Sequence, residues 1–154
     1  MRRTLSVSLV CIGKLRDRAL KELAQMYEGR VDRYARFNVL EVPHAHITSR
    51  KKQTVAQVTK TFQGASLRVA LDVRGKTVTS PGFAKVLQKA EESSQSMAFL
   101  IGGPEGIPED LGKLATMKLS LSPCTFPHEL FRVIFLEQLY RAFTIARNEP
   151  YHKE

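Results

Sequence analysis

Five short apolar runs, each closed by glycine or proline or by a small polar turn, alternate with segments of helical periodicity. That alternation constrains the fold more than any other feature of the chain. The runs are TLSVSLVCIG (4–13), FNVLEVP (37–43), SLRVALDV (66–73), MAFLIGG (97–103) and TMKLSLS (116–122). Their length and their β-branched and aliphatic content predict strands. Between them, residues 16–36 carry apolar positions at Leu20, Leu23, Ala24, Tyr27, Val31 and Tyr34, the three-and-four spacing of one helix face. Further helices are expected over about 53–62, from Ser80 and Pro81 to about Ser93, as a short turn over 108–114, and over 127–147. Strand–helix repetition of this kind is solved by a three-layer α/β domain with a mostly parallel sheet. With 154 residues, the chain is expected to form a single domain, 1–154, whose core needs neither disulfide nor metal.

The final helix stands apart. Leu130, Phe131, Val133, Ile134, Phe135, Leu136, Leu139, Tyr140, Ala142, Phe143 and Ile145 cover nearly its whole circumference. A helix on the outside of an α/β domain shows a polar face. This one is expected to be covered from two sides, by its own sheet and by a second subunit, which predicts a homodimer.

Charge and cysteine usage narrow the partners. Lys and Arg number 24 against 15 Asp and Glu, a formal net charge of +9, which favours a polyanion through counterion release. The segment from His44 to Lys60 has four Lys or Arg, two His and no acid. It reads either as a solvated loop and helix face or as an RNA-facing patch. The two cysteines, Cys11 and Cys124, lie far apart without metal-ligand spacing, which suits a reducing, cytoplasmic setting. No apolar run reaches the roughly 20 residues of a membrane span. The start, Met1 to Thr4, leads directly into a strand-like segment without a small-residue cleavage site, so no signal peptide is expected.

Two loops could carry chemistry. Gly102-Gly103-Pro104-Glu105-Gly106 ends a strand with little side chain, so main-chain groups can approach a ligand; it equally reads as a plain strand-to-helix turn. Its spacing fits neither a dinucleotide loop nor a phosphate cradle. Ser122-Pro123-Cys124-Thr125-Phe126-Pro127 ends the next strand and opens the final helix, with Pro127 suited to the first helical turn and Thr125 or Phe126 near its cap. Cys124 is read as a thiol lining a ligand loop rather than as a nucleophile, and Cys11 as a small core residue. Parallel sheets gather ligands beyond the carboxyl ends of their strands, where both loops fall. His128 and Arg132 lie four apart, as do Glu137 and Arg141; the second pair reads as an intrahelical ion pair or as an arginine facing a site. The tail, Pro150-Tyr151-His152-Lys153-Glu154, is either a frayed end or a stacking-and-titrating element.

Taken together, LIGGPEG, the Pro127-His128…Arg132 helix start, the 137–142 run EQLYRA and the terminal PYHK resemble the small SPOUT-superfamily methyltransferases that methylate N3 of a pseudouridine in large-subunit ribosomal RNA. Milder likeness runs through VCIGK (10–14), EVP (41–43) and ALDVRGK (70–76). The resemblance implies a C-terminal trefoil knot, a homodimer, S-adenosylmethionine as cofactor and 23S rRNA within the assembled ribosome as partner, with no metal and no membrane. Carried onto this chain, it implies a cofactor site of Leu71, Gly103, Ser122, Pro123, Cys124, Thr125, Phe126 and Pro127. The catalytic candidates are His152 as proton acceptor, Tyr151 packing on the base, Arg132 and Arg141 on phosphate or a uracil carbonyl, and His128 as a less favoured base. Rival readings are a non-catalytic RNA-binding or ribosome-assembly module and a SPOUT enzyme acting on tRNA.

Overall fold

The computed structural model describes residues 5–154; the expected start of the first strand at Thr4 and the leading Met1 to Arg3 lie outside them. In chain order the elements are β1 (Ser6–Ile12), α1 (Arg18–Val31), β2 (Arg36–Val42), α2 (His44–Thr48), α3 (Lys52–Gln63), β3 (Leu67–Thr77), α4 (Ser80–Glu92), β4 (Met97–Ile101), α5 (Glu109–Gly112), β5 (Met117–Ser120) and α6 (His128–Ala146). The five strands form one sheet in the order β2-β1-β4-β3-β5, and every neighbouring pair is parallel. The α/β architecture expected from the alternation is therefore present.

The two-residue period of the strands sorts the core into two halves. Val7, Leu9 and Cys11 of β1 and Met97, Phe99 and Ile101 of β4 face a layer made by α1, α4 and α6. Val10, Ile12, Ala98 and Leu100 face the opposite layer, where Ile47 of α2, Val58 and Phe62 of α3 and Leu111 of α5 pack. Phe83, Phe99 and Phe135 tie α4, the sheet and α6 together, with ring centroids 4.9 to 6.3 Å apart.

Helix α2 was not expected, and among the boundaries that depart from the sequence reading three bear on the site. Helix α1 stops at Val31, not Arg36, because Tyr34 and Ala35 turn inward to the core and Arg36 is already paired with β1. Strand β3 runs on to Thr77, but its register against β5 shifts between Leu71 and Lys76. The residues in that shift, Asp72 to Gly75, bulge out at the carboxyl edge of the sheet. Helix α6 begins at His128, with Pro127 in the capping position and no side-chain cap.

Helix α6 also finds its cover differently. It is the middle helix of its layer, in contact with α1 on one flank, α4 on the other and the sheet beneath. Most of the burial that the sequence suggested would need a second subunit is thus supplied within the chain. The expectation that a helix of such a domain must lie at its outside overlooked the flanks of a central position.

Candidate active site

At the carboxyl ends of β3, β4 and β5 lies a cleft of about 350 Å³. Its floor is apolar, from Leu71, Ile101, Leu119 and Leu121, and Phe126 and Phe131 wall one side with their rings stacked at 6.3 Å. Of the residues the sequence assigned to a cofactor, Leu71, Gly103, Ser122, Cys124, Thr125 and Phe126 line this cleft. Pro123 and Pro127 belong to the same loop without lining it. Leu119, Leu121, Phe131 and the Asp72–Arg74 bulge line it too and had not been singled out. Strand-end leucines carry no local signature; only the pairing of β5 with β3 places them here.

The glycines do different work from one another. A Cβ on Gly102 would sit 2.5 Å from the main-chain carbon of Gly106, and one on Gly103 2.8 Å from the Ile12 oxygen and 2.9 Å from Cδ2 of His44. Both are required by close approach of the chain to itself. Gly106 adopts φ +82°, bridges back to Gly103 through a 2.9 Å main-chain hydrogen bond, and has open space where a side chain would point. The turn is thus open where a side chain would stand at Gly106, while close approach to neighbouring groups fixes Gly102 and Gly103; all three line the cleft. The second loop is held from within: Ser120 Oγ donates to the Ser122 carbonyl and the Cys124 N–H donates to Ser122 Oγ.

At the rim, Asp72 accepts the Arg74 main-chain N–H at 2.9 Å and its guanidinium at 3.0 and 3.3 Å. These bonds hold the Asp72 carboxyl below the usual carboxylate range. His128 enters the cleft from the first turn of α6. Next to it, Glu129 accepts the main-chain N–H groups of Arg16 and Asp17, which clamps the β1–α1 connection to the start of α6 and keeps the Glu129 carboxyl low.

Arg132 is not in the cleft. It is 8% exposed, bonded to Glu41 and within 4.0 Å of Glu28, and Glu41 also accepts the Leu15 N–H. Burial pushes Glu28 up despite the nearby guanidinium, and it pushes the Cys11 thiol up to about 12, which leaves that cysteine inert. Arg132 thus pins α6 to α1 and to the β2 edge; its guanidinium faces carboxylates rather than a ligand.

The tail is ordered, but it lies elsewhere. Asn148, at φ +55°, ends α6, and the Glu149 N–H donates to the Thr144 oxygen. Tyr34 donates to the Glu149 carboxylate at 2.6 Å. Tyr151 packs edge-on to Tyr140 at 4.6 Å, beneath the Arg141 guanidinium at 4.9 Å. Arg141 in turn bonds Glu137 at 2.7 and 3.3 Å and lies 3.1 Å from Nδ1 of His152. Of the five catalytic candidates, Tyr151, Arg141 and His152 therefore form one cluster, and His128 and Arg132 lie outside it. Ten positions of α6 separate Arg141 from Phe131, the cleft-lining residue of that helix nearest to it, about 15 Å at 1.5 Å per residue. Within one chain the cluster and the cleft do not meet.

The model for predicted SPOUT methyltransferases matches residues 5–152. The chain belongs to the SPOUT methyltransferases. Within them it falls in the family of ribosomal RNA large subunit methyltransferase H. It is 38% identical to the protein of that name from Acetivibrio thermocellus, over 96% of this chain and 99% of the relative, and 36% identical to the one from Clostridium botulinum strain Kyoto, over 97% and 100%. Two solved structures share the SPOUT fold. A probable methylase family protein of Haemophilus influenzae superposes with a TM-score of 0.60 at 10% identity, covering 99% of this chain and 71% of that one. A probable methyltransferase of Bordetella pertussis gives 0.57 at 10%, covering 92% and 95%. S-adenosylmethionine is the methyl donor of this SPOUT enzyme. The cleft suits it: an apolar floor and stacked phenyl walls for a purine, main-chain groups of two loops for its polar edge, and a volume within the usual range for small-molecule sites. No cluster of metal-ligating side chains and no helix able to span a membrane occurs among the described residues.

Proposed function

We propose that this protein is a cytoplasmic homodimer that methylates N3 of a pseudouridine in 23S rRNA of the assembled ribosome. The single observation that carries this reading is end-to-end similarity to proteins named for large-subunit rRNA methylation. The knot belongs to the same reading. After β5 at the edge of the sheet, the chain returns as α6 to the middle of its helical layer, between α1 and α4, as a threaded C-terminus would.

The dimer follows from the distance just given. A tail cluster some 15 Å along α6 from its own cleft can serve a cleft only in a second copy. Leu23 and Met26 of α1 and Leu130 of α6, 37 to 40% exposed, offer that copy an apolar face.

Bound in the cleft, S-adenosylmethionine supplies an electrophilic methyl carbon. The chain must orient the base and accommodate the negative charge left when its N3 proton departs. Arg141 has only donors, so its contact with His152 uses the unprotonated Nδ1 and leaves the proton on Nε2. In that arrangement His152 offers a donor that stabilises the developing anion at a uracil carbonyl. Acting as the proton acceptor, the role the sequence suggested, would require it to leave Arg141. Tyr151 stays a neutral phenol, because burial and a hydrogen bond with Tyr27 push it up to about 12; it positions the base by contact. Glu137 holds Arg141 in place.

Tritiated methyl transfer to ribosomes, free subunits and tRNA, each from a strain lacking this chain, tests the proposal. The expected result is incorporation into ribosomes alone, with one methyl missing from that strain's rRNA by mass mapping. Incorporation into tRNA, or donor binding without transfer to any RNA, would replace it with one of the rival readings.

A further inference from the structure

The acid-free stretch of the sequence is longer than its basic core. From Val42 to Leu71, between Glu41 and Asp72, there is no Asp or Glu. It folds into α2 and α3 on the sheet face opposite α6. Helix α3 buries Thr54, Val58 and Phe62 and turns Lys52, Gln53, Ala56, Gln57, Lys60 and Gln63 outward. Lys52, Ala56 and Lys60 fall at four-residue steps along one stripe, and with Arg50 they line an open groove.

A second depression, around His44, lies between the groove and the cleft. It shares Arg50 and Val55 with the α3 groove and Glu105 and Gly106 with the cleft. The three hollows thus lie side by side, each sharing lining residues with the next, and mark a path across this face. The acids beside it are already engaged: Asp110 with Arg50 at 2.8 Å, Glu109 with Lys113 at 3.5 Å, and Glu105 3.8 Å from the His44 ring. Among the described residues, Lys51, Lys52 and Lys60 have no ion-pair partner, so the net field along the path is theirs.

We propose that this path is a track for a single RNA strand, with α3 holding the phosphate backbone that leads to the nucleotide in the cleft. It rests on RNA being the substrate and adds where the strand lies. The ammonium-bearing positions 52 and 60 are about 12 Å apart along the helix, the rise of three to four stacked nucleotides at roughly 3.4 Å each. Glutamine amides beside the lysines suit phosphate and sugar oxygens. Ala56 between them lets a backbone approach. The outward face carries no large apolar side chain, so it lacks what a membrane surface would need.

The test is equilibrium binding of the full-length protein to assembled ribosomes from a strain lacking it, across a salt series. It compares wild type, Lys52→Gln/Lys60→Gln and, on the opposite face, Lys85→Gln/Lys89→Gln. Two lost phosphate contacts should lower the log–log salt slope by about 1.4 and the affinity roughly 25-fold at 0.1 M salt, with donor affinity and the α4 variant unchanged. An α3 variant with wild-type slope and affinity, equal losses in both variants, or no wild-type binding would each overturn the track. Methyl transfer in parallel separates the two readings: binding that depends on α3 without transfer keeps the track and removes the enzyme assignment.

Discussion

Replacing Arg132 by methionine tests whether this arginine is a tether or a ligand group. The substitution keeps length and apolar volume but leaves Glu41 and Glu28 facing each other without their shared cation. Unit charges 4 Å apart interact by about 4 kcal/mol at an effective dielectric of 20. The two carboxylate side chains are 31% and 27% exposed, so solvent screens part of this, and an expected loss of about 3 kcal/mol is at the low end for breaking a buried pair. The loss should depend on pH in a fixed direction. Glu28 already lies above its ordinary range through burial, and Arg132 opposes that rise. Without the guanidinium the native carboxyl rises further and binds protons more tightly than in the unfolded chain. The penalty is therefore full at neutral pH and shrinks as pH falls toward the ordinary carboxylate value of about 4.3. Urea unfolding at pH 7 and pH 5 reads both effects, and Arg132→Met/Glu28→Gln/Glu41→Gln should regain most of the stability. A loss below about 1 kcal/mol, an equal loss at both pH values, or no recovery in the triple variant would refute the tether.

Gly102→Ala should cost about 2 kcal/mol, by overpacking against Gly106, and weaken donor binding measured by calorimetry. Gly29→Ala, in α1 with open space around it, should raise stability by about 0.5–1 kcal/mol. Mixing two inactive proteins, His152→Ala and the cleft-filling Thr125→Trp, should restore about a quarter of wild-type turnover, since random pairing makes half the dimers mixed and each has one complete site; no restoration would mean the tail does not serve a partner's cleft. Truncation after Asn148 should leave a folded protein that binds donor but gives no single-turnover methyl transfer, with stability down by about 2 kcal/mol from the lost Tyr34–Glu149 bond and Tyr151 packing.

Local pattern carried much of this molecule. Strand positions, the short α5 and both loops of the cleft were legible because each depends on neighbours a few residues away: period-two apolar runs, three-and-four spacing, and turn residues at strand ends. Tyr151, His152 and Arg141 were named together only through the family resemblance, alongside Arg132 and His128; residue type by itself left the tail open between a frayed end and a functional element. What the sequence could not show required neighbours distant in sequence. Arg132 read as a site residue because nothing nearby in the chain reveals that Glu41 and Glu28 reach it. Tyr34 and Ala35 looked like a last helical turn until the core drew them inward.

From the sequence alone came the α/β class, the parallel sheet and the chemistry available at two strand ends. Tertiary structure alone decided the order β2-β1-β4-β3-β5, the seat of α6 between α1 and α4, and the separation of the tail from its own cleft. Backbone conformation responds to side chains within a turn or two, so it leaves a periodic trace along the chain. Which strand lies beside which, and which carboxylate meets a buried guanidinium, is settled by contacts between segments remote in sequence, and these leave no periodic trace.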